Sequence, residues 1–184
     1  MEEEIEFIID AAQESMGKVL VHLEKKYTTI RAGKASPSML NGVMVEYYGN
    51  LTPLNQVANI NTPDSMTISI QPFEKSLIQE IEKGIMSANL GFNPMNNGES
   101  VIINVPPLTE ERRRELAKQA KAEGEEAKVR VRNERKSANN DLKTLDLSED
   151  LKKNLELDIQ EMTDKHIQKI DQIFSNKEAE IMKV

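Results

Sequence analysis

The segment that decides the fold is Arg112–Lys143, which reads RRRELAKQAKAEGEEAKVRVRNERKSANNDLK. Its apolar residues recur every three or four positions, the period of an amphipathic α-helix. When the segment is projected at about 100° per residue, they fall within one narrow wedge. The members of this wedge are Leu116, Ala120, Ala127, Val131, Ala138, Leu142 and Leu145. We therefore expect one long helix with a single buried face.

The same helix carries basic side chains in a second wedge, about 100° wide, beside the apolar one. We call this wedge the basic stripe, and its members are Arg114, Lys118, Lys121, Lys128, Arg132, Arg135, Lys136 and Lys143. From Arg112 to Lys136, ten Lys or Arg residues stand against five Glu, although the net charge of the chain is −7. An ordinary solvated face intersperses its charges as i, i+4 pairs. Partial segregation by sign favours a surface for an anionic partner, with nucleic acid as the first candidate.

The composition narrows the class of protein. Charged residues make up 30% of the 184 residues and aromatic residues only 4%, which favours long helices over a β-rich fold. The chain has no Cys, which excludes disulfides, thiolate zinc sites and Cys nucleophiles and fits a reducing cytosol. Neither a signal-peptide pattern nor an apolar run near the roughly 18 residues of a membrane span is present. We expect a cytoplasmic protein that has no membrane partner.

Two further segments have the helical period and complete a predicted three-helix bundle. Apolar residues from Ile5 to Ile30 predict a first helix of roughly 25 residues. Thr109, followed by two acids, is the predicted N-cap of the long helix, and Ser148 is the predicted N-cap of a third. Three such helices pack around a shared apolar core. Gly124 is predicted to be a weak point that permits a bend in the long helix.

The middle of the chain has a different pattern. Val43–Tyr48, Met66–Gln71 and Val101–Val105 are strand-like, and Ser76–Ala88 predicts a short amphipathic helix between them. Turn-forming Pro, Asn and Gly residues also cluster in this part of the chain. We therefore predict a small α/β domain, residues 31–105, inserted into a bundle that is formed by residues 1–30 and 106–184.

The chain crosses between the two predicted domains twice, near residues 31–37 and 105–107. Gly33 lies in the first crossing and a Pro-Pro pair in the second, a composition that suits a hinge as well as a rigid elbow. The candidate hinge residues are Arg31, Ala32, Gly33, Lys34, Val105, Pro106 and Pro107.

Sequence motifs for covalent chemistry are missing. No GxxxxGK[ST], GxGxxG or GxSxG pattern occurs, and the two histidines, His22 and His166, lack an HExxH-type partner. His166 falls near the apolar stripe of the third helix, so we expect a packed side chain. We expect no catalytic residue, no metal and no cofactor, and therefore no enzyme. The alternative to an RNA-binding function is a helical tether or scaffold that binds protein partners without RNA.

Six motifs in fixed order resemble the ribosome recycling factor family across essentially the full chain. They are IRAGKASPS at 30–38, VEYYG at 45–49, TPL at 52–54, LGFNP at 90–94, PPLTEERR at 106–113 and VRNERKSAN at 131–139. This resemblance implies an α+β protein in which an elongated antiparallel three-helix bundle and an inserted β/α/β domain form an L. It also implies a monomeric translation factor, without enzymatic activity, that acts with elongation factor G and GTP to disassemble the post-termination ribosome complex.

The resemblance also implies site residues, because the bundle arm of the family lies on large-subunit ribosomal RNA. Arg132, Arg135 and Lys136 match the segment of the family that faces this RNA, and Arg31 matches an arginine at its elbow. The family commonly has Arg where this chain has Lys34 and Lys136, and Lys lacks the planar fork that grips phosphate. The complete expected RNA-binding set is Arg132, Arg135, Lys136, Lys128, Arg113, Arg31 and Asn139.

Overall fold

The structure is a computed structural model that describes residues 2–30 and 32–183. The chain divides into two compact units. One unit, which we call the bundle unit, comprises Met1–Ala32 and Glu110–Val184, and the other, which we call the inserted unit, comprises Gly33–Thr109. Both boundaries fall slightly later in the chain than the sequence predicted.

The described residues form five α-helices and six strands. The helices are α1 (Glu2–Thr28), α2 (Leu54–Val57), α3 (Ile78–Ser87), α4 (Glu110–Thr144) and α5 (Glu149–Met182). The strands are β1 (Met44–Tyr47), β2 (Asn50–Pro53), β3 (Ala58–Asp64), β4 (Thr67–Pro72), β5 (Pro94–Asn96) and β6 (Val101–Asn104). In the described ranges no helix is both long enough and apolar enough to cross a bilayer.

The bundle unit consists of α1, α4 and α5, which confirms the predicted three-helix bundle. Ala12 of α1 packs near the end of α4 whereas Tyr27 reaches its first half, so these two helices are antiparallel. Arg113 at the start of α4 contacts the end of α5, so this pair is antiparallel too. The side-chain oxygen of Ser148 accepts a hydrogen bond from the backbone N–H of Leu151 at 3.3 Å, which confirms the predicted N-cap.

Gly124 has a packing role that the sequence did not reveal. Helix α4 continues through Gly124, which is buried, and an added Cβ would lie 3.2 Å from the Tyr27 hydroxyl oxygen. The missing side chain leaves room for Tyr27, whose hydroxyl donates to the carbonyl of Ala120 at 2.6 Å. Burial, and then the Glu123 carboxylate, raises the pKa of Tyr27 to about 12, so the phenol remains a donor at neutral pH.

The inserted unit contains two antiparallel sheets with α3 packed against strands of both, which confirms the β/α/β domain that the resemblance implied. Strands β1 and β2 form a hairpin, and the other four strands form a sheet in the order β3-β4-β6-β5. Helix α3 packs against β1, and one apolar cluster fills the unit. The residues of this cluster that are most completely buried include Val45, Ile68, Ile70, Ile81, Ile85, Val101 and Ile103.

Gly84 sets the distance between α3 and β1. A Cβ at this position would lie 2.5 Å from the carbonyl oxygen of Met44, which is a backbone atom and cannot swing aside. Helix α3 can therefore cross β1 this closely only with glycine at the crossing point. Gly17 of α1 is a contrasting case, because an added Cβ there would meet nothing within 4 Å.

We expect alanine at these two positions to change stability in opposite directions. Gly17→Ala should raise the free energy of unfolding by about 1 kcal/mol, the difference in helix propensity between the two residues. Gly84→Ala should lower it by about 1–3 kcal/mol, because overpacking against the Met44 carbonyl outweighs the same propensity gain. Denaturant unfolding followed by circular dichroism measures both changes. An equal effect of the two substitutions would contradict the close approach at Gly84.

Candidate nucleic-acid interface

The basic stripe is held on a helix whose neighbouring face is fixed in the bundle core. Helix α4 has 35 residues and is about 50 Å long at 1.5 Å per residue. Its buried positions are Leu116, Ala120, Gly124, Ala127, Val131, Ala138 and Leu142. They repeat the predicted apolar wedge except for Leu145, which lies beyond the end of the helix and is half-buried, and they add Gly124. The rotation of the helix is thereby fixed, and the stripe lies along its solvent-facing side and its α5 flank.

Five members of the basic stripe are exposed and lack an ion-pair partner among residues 2–30 and 32–183. Arg132 and Lys136 are one helical turn apart and form the centre of this open row. Lys118 and Lys121 lie toward the start of α4, and Lys143 lies in its last turn. Unpaired, hydrated cations on a rigid helix are available to phosphate groups without the loss of an internal contact.

Arg135 occupies the edge of the stripe next to α5. Its guanidinium is half-buried and donates a hydrogen bond to the side-chain oxygen of Gln160. Gln160 in turn donates to Asp164 at 2.8 Å, so the chain of contacts runs along α5. A guanidinium has five N–H donors, and a single contact leaves others for an outside acceptor. Arg135 therefore combines a packing contact with a position on the stripe.

Lys128 is engaged inside the bundle unit. Its ammonium lies 2.6 Å from Asp171 of α5 and 3.3 Å from Glu125, and only 18% of its side chain is exposed. The hydrogen bond to Asp171, opposed by burial and supported by Glu125, raises the pKa of Lys128. Two carboxylates thus compensate the charge of Lys128, and the contact with Asp171 ties α4 to α5.

Arg113 lies away from the stripe, at the carboxyl end of α5. Its guanidinium donates to the backbone carbonyls of Ile181, at 2.9 Å, and Lys183. The last carbonyls of a helix lack intrahelical partners and carry partial negative charge. A guanidinium there supplies hydrogen-bond donors to these carbonyls and a positive charge beside them. Arg113 is therefore used as a cap for α5.

Two other residues of the expected RNA-binding set have different positions. Asn139 lies on the same side of α4 as Lys136, and its side-chain oxygen is buried without a hydrogen-bond partner among the described residues. Arg31 lies outside the described residues, both as an expected RNA contact and as a hinge candidate.

The hinge candidates do not behave alike. Val105 is fully buried in the core of the inserted unit, and its N–H donates to the carbonyl of Met66 at 2.7 Å, so Val105 belongs to that unit and not to a hinge. The N–H of Ala35 donates to the carbonyl of Ser65 at 2.8 Å, so the first crossing is fixed to the turn between β3 and β4, which also contains Met66.

The remaining hinge candidates have other backbone features. Gly33 has φ 83°, a left-handed conformation that favours glycine. Pro106 and Pro107 follow Val105 and form no regular element.

A local signal marks two of the engaged bases of α4. Arg114 pairs with Glu110, and Arg130 pairs with Glu126 at 2.6 Å, each with an acid four residues earlier. The five open bases have no acid at that spacing. This rule, applied to the sequence, brings Lys118, Lys121 and Lys143 into the candidate site. The contacts of Lys128, Arg135 and Arg113 with α5 have no such local signal.

The histidines give no sign of a metal centre. His166 is buried on α5 and its Nδ1 lies 2.7 Å from the carbonyl of Met162, which confirms the packed side chain. His22 is exposed on α1. Within the described ranges, no group of three or more His, Cys, Asp or Glu residues is arranged to hold a metal ion.

We expect Arg113 and Arg132 to have separate roles. Arg113→Ala should lower the free energy of unfolding by about 1–2 kcal/mol, because charge-assisted hydrogen bonds at the end of α5 are lost. Arg132→Ala should change it by less than about 0.5 kcal/mol, as is usual for an exposed side chain without partners. Urea denaturation of both variants tests this difference, and a destabilised Arg132→Ala protein would show that Arg132 has a packing role.

The chain is similar to known proteins over nearly its full length. A family model described as "Ribosome recycling factor" matches residues 23–182. The ribosome-recycling factor of Christiangramia forsetii is 67% identical over 182 residues, which cover 99% of this chain and 100% of the relative. The corresponding protein of Flavobacterium johnsoniae is 58% identical over 187 residues, with complete coverage of both chains.

Two solved structures also match. A solution structure of a ribosome recycling factor is 37% identical, has a TM-score of 0.76 and covers 98% of each chain. The T. thermophilus ribosome recycling factor, in a structure with E. coli elongation factor G bound to the E. coli post-termination complex, is 40% identical with a TM-score of 0.61. It covers 97% of this chain and 98% of its own.

Fold and site together define a two-unit α+β protein with an exposed row of cations on one helix of a three-helix bundle. The matches cover nearly the whole chain at up to 67% sequence identity, which makes the choice of family specific. The chain belongs to the ribosome recycling factor family.

Proposed function

We propose that this protein is a translation factor that disassembles the post-termination ribosome complex together with elongation factor G and GTP. The observation that carries this proposal is family membership over residues 23–182, joined to a 67% identical relative that is itself a ribosome-recycling factor. The structural neighbour seen with elongation factor G on a post-termination complex supports both partners. The protein acts in the cytoplasm, as a monomer, where ribosomes complete translation.

The basic stripe is the surface that binds large-subunit ribosomal RNA. Arg132 and Lys136 contribute open charges, and Arg135 contributes a guanidinium that Gln160 holds at the edge of the row. Binding to RNA phosphates releases condensed counterions, so affinity falls steeply as salt rises. The net charge of −7 leaves the rest of the surface repulsive to RNA and limits contacts elsewhere.

The other residues of the expected RNA-binding set contribute unequally to RNA binding in this proposal. Lys128 and Arg113 act mainly inside the bundle unit, because their charges are already compensated there. Asn139 and Arg31 remain proposed contacts. Lys118, Lys121 and Lys143 are added as peripheral phosphate contacts, because they are exposed and unpaired in the described chain.

The mechanism we propose is mechanical. The bundle unit docks on ribosomal RNA, elongation factor G acts on the inserted unit, and the movement disrupts contacts between the ribosomal subunits. The crossings bend near Ala32–Lys34 and near Pro106–Pro107, where glycine in the first and the absence of a regular element in the second suit a hinge. The chain itself performs no catalysis, and elongation factor G supplies GTP hydrolysis.

Polysome breakdown tests the proposed function directly. Purified polysomes incubated with elongation factor G and GTP should convert to single ribosomes and subunits much faster when this protein is added. Omission of either elongation factor G or GTP should abolish the acceleration, because the chain has no nucleotide chemistry of its own. An unchanged rate of polysome breakdown would refute the recycling function.

The basic stripe is tested by the double variant Arg132→Ala/Lys136→Ala. Loss of two phosphate contacts should lower affinity for large subunits at least about tenfold at low salt and should reduce the slope of log affinity against log salt by about 1.4. Sedimentation with large subunits at several salt concentrations measures both quantities, and circular dichroism checks the helices.

A matched control removes the same charge elsewhere. Lys18 and Lys165 are exposed on α1 and α5, where they pair with Glu14 and Glu161. Lys18→Ala/Lys165→Ala should therefore leave the salt slope unchanged. Equal losses in both double variants would show that only net charge matters. Binding that is insensitive to salt in the original protein would instead favour the helical tether.

A further inference from the structure

The inserted unit has a second surface of opposite character at the turn between β1 and β2. The hydroxyls of Tyr47 and Tyr48 donate to the two oxygens of the Glu74 carboxylate, at 3.1 Å and 3.2 Å. The two rings meet edge to face with centroids 4.5 Å apart. These side chains border an open groove of about 280 Å³, whose lining also includes Glu46 and Glu80. We call it the tyrosine–glutamate groove.

Tyr48 occupies a position where an aromatic residue is unfavourable. Tyr48 and Gly49 form a two-residue hairpin turn with φ 47° and 81°, the geometry of a type I′ turn. Asn, Asp or Gly is the usual first residue of such a turn, and a bulky residue in this conformation is strained. The Tyr48 side chain is nevertheless 78% exposed. Neither the turn nor the core therefore requires an aromatic ring at this position.

The groove has an excess of negative charge. Of its three glutamates, Glu80 pairs with Lys83 at 3.2 Å. Glu46 and Glu74 have no ion-pair partner in the described part of the chain, and no Lys or Arg lines the groove. The carboxylate of Glu74, by its hydrogen bond, raises the pKa of Tyr47, which keeps that phenol a donor. Such a groove repels phosphate and attracts a cation.

Glu74 has accepting capacity left over. An ionised carboxylate accepts about four hydrogen bonds, and the two phenols use one position on each oxygen. One position on each oxygen therefore remains, which is the spacing that the paired N–H groups of a guanidinium match. Exposed Tyr48 beside it provides an aromatic ring for a cation–π contact, which arginine makes more often than lysine.

We propose that the tyrosine–glutamate groove binds an arginine side chain presented by a protein partner. Exposed Leu51, on the same hairpin, and exposed Phe73, next to Glu74 in the chain, supply apolar surface of the kind that surrounds charged anchors in protein interfaces. The groove lies wholly in the inserted unit, whereas the basic stripe lies in the bundle unit. The proposal therefore goes beyond the recycling function and does not depend on it.

The test is an NMR titration of the full chain with a blocked Gly-Arg-Gly peptide as the probe. We expect saturable, millimolar binding that shifts the amides of Tyr47, Tyr48 and Gly49 and the ring signals of Tyr48. The same peptide with citrulline, a neutral isostere of arginine, should give no response, and the lysine peptide should bind several-fold more weakly. An equal response to citrulline, or no response to arginine, would overturn the proposal.

Two variants separate binding from folding. Tyr48→Asn keeps a residue suited to the turn, so the unfolding temperature should stay the same or rise while the response to arginine is lost. Glu74→Gln keeps an acceptor for a phenol but removes the charge, and the dissociation constant should rise at least tenfold. A destabilised Tyr48→Asn protein that still binds the probe would show that Tyr48 is structural and refute the proposal. If an oligouridylate shifts the NMR signals of the groove residues and the arginine peptide does not, the proposal is also refuted.

Discussion

The bundle unit depends on the burial of one narrow face of α4 between α1 and α5. Four of the seven buried positions are small: Ala120, Gly124, Ala127 and Ala138. Small residues let neighbouring helices approach closely, and the approach is tightest at Gly124, where the Tyr27 hydroxyl crosses the helix to reach Ala120. A long helix that buries so few bulky side chains is held by fit along its length rather than by a large apolar area. Its other faces are left to charged residues.

Those charged residues are divided between bases that contact α5 and bases that are open to solvent. On the α5 flank, Lys128 contacts Asp171, Arg135 contacts Gln160 and Arg113 caps the end of α5. On the open side, Arg132 and Lys136 have no ion-pair partner in the part of the chain that the structure describes. Both groups look alike in a charge count, yet only the open group offers uncompensated charge to a phosphate. The engaged group fixes the rotation of α4 and thereby the direction in which the open group faces.

The helices were predictable from the sequence because their signals are local. The apolar period located α4, and the hydroxyl of Ser148 marked the start of α5. Strands β2, β3 and β5 were missed, since NLTP, ANINTPD and PMN contain turn-forming residues and no alternation. These strands form because β1, β4 and β6 provide hydrogen-bonding partners. The true role of Val105 was hidden for the same reason, because its partner, Met66, is distant in the chain.

The candidate sites follow the same division between local and long-range information. The basic stripe was visible because its members repeat along one helix. The tyrosine–glutamate groove was not, because it is created by a contact between a hairpin turn and Glu74, which is 26 residues away from Tyr48. The two surfaces also have opposite charge, so each repels the ligand of the other: phosphate avoids Glu46 and Glu74, and guanidinium avoids Arg132 and Lys136. The open bases of α4 and the glutamates beside exposed Tyr48 therefore form two surfaces of opposite charge, which would favour different classes of ligand.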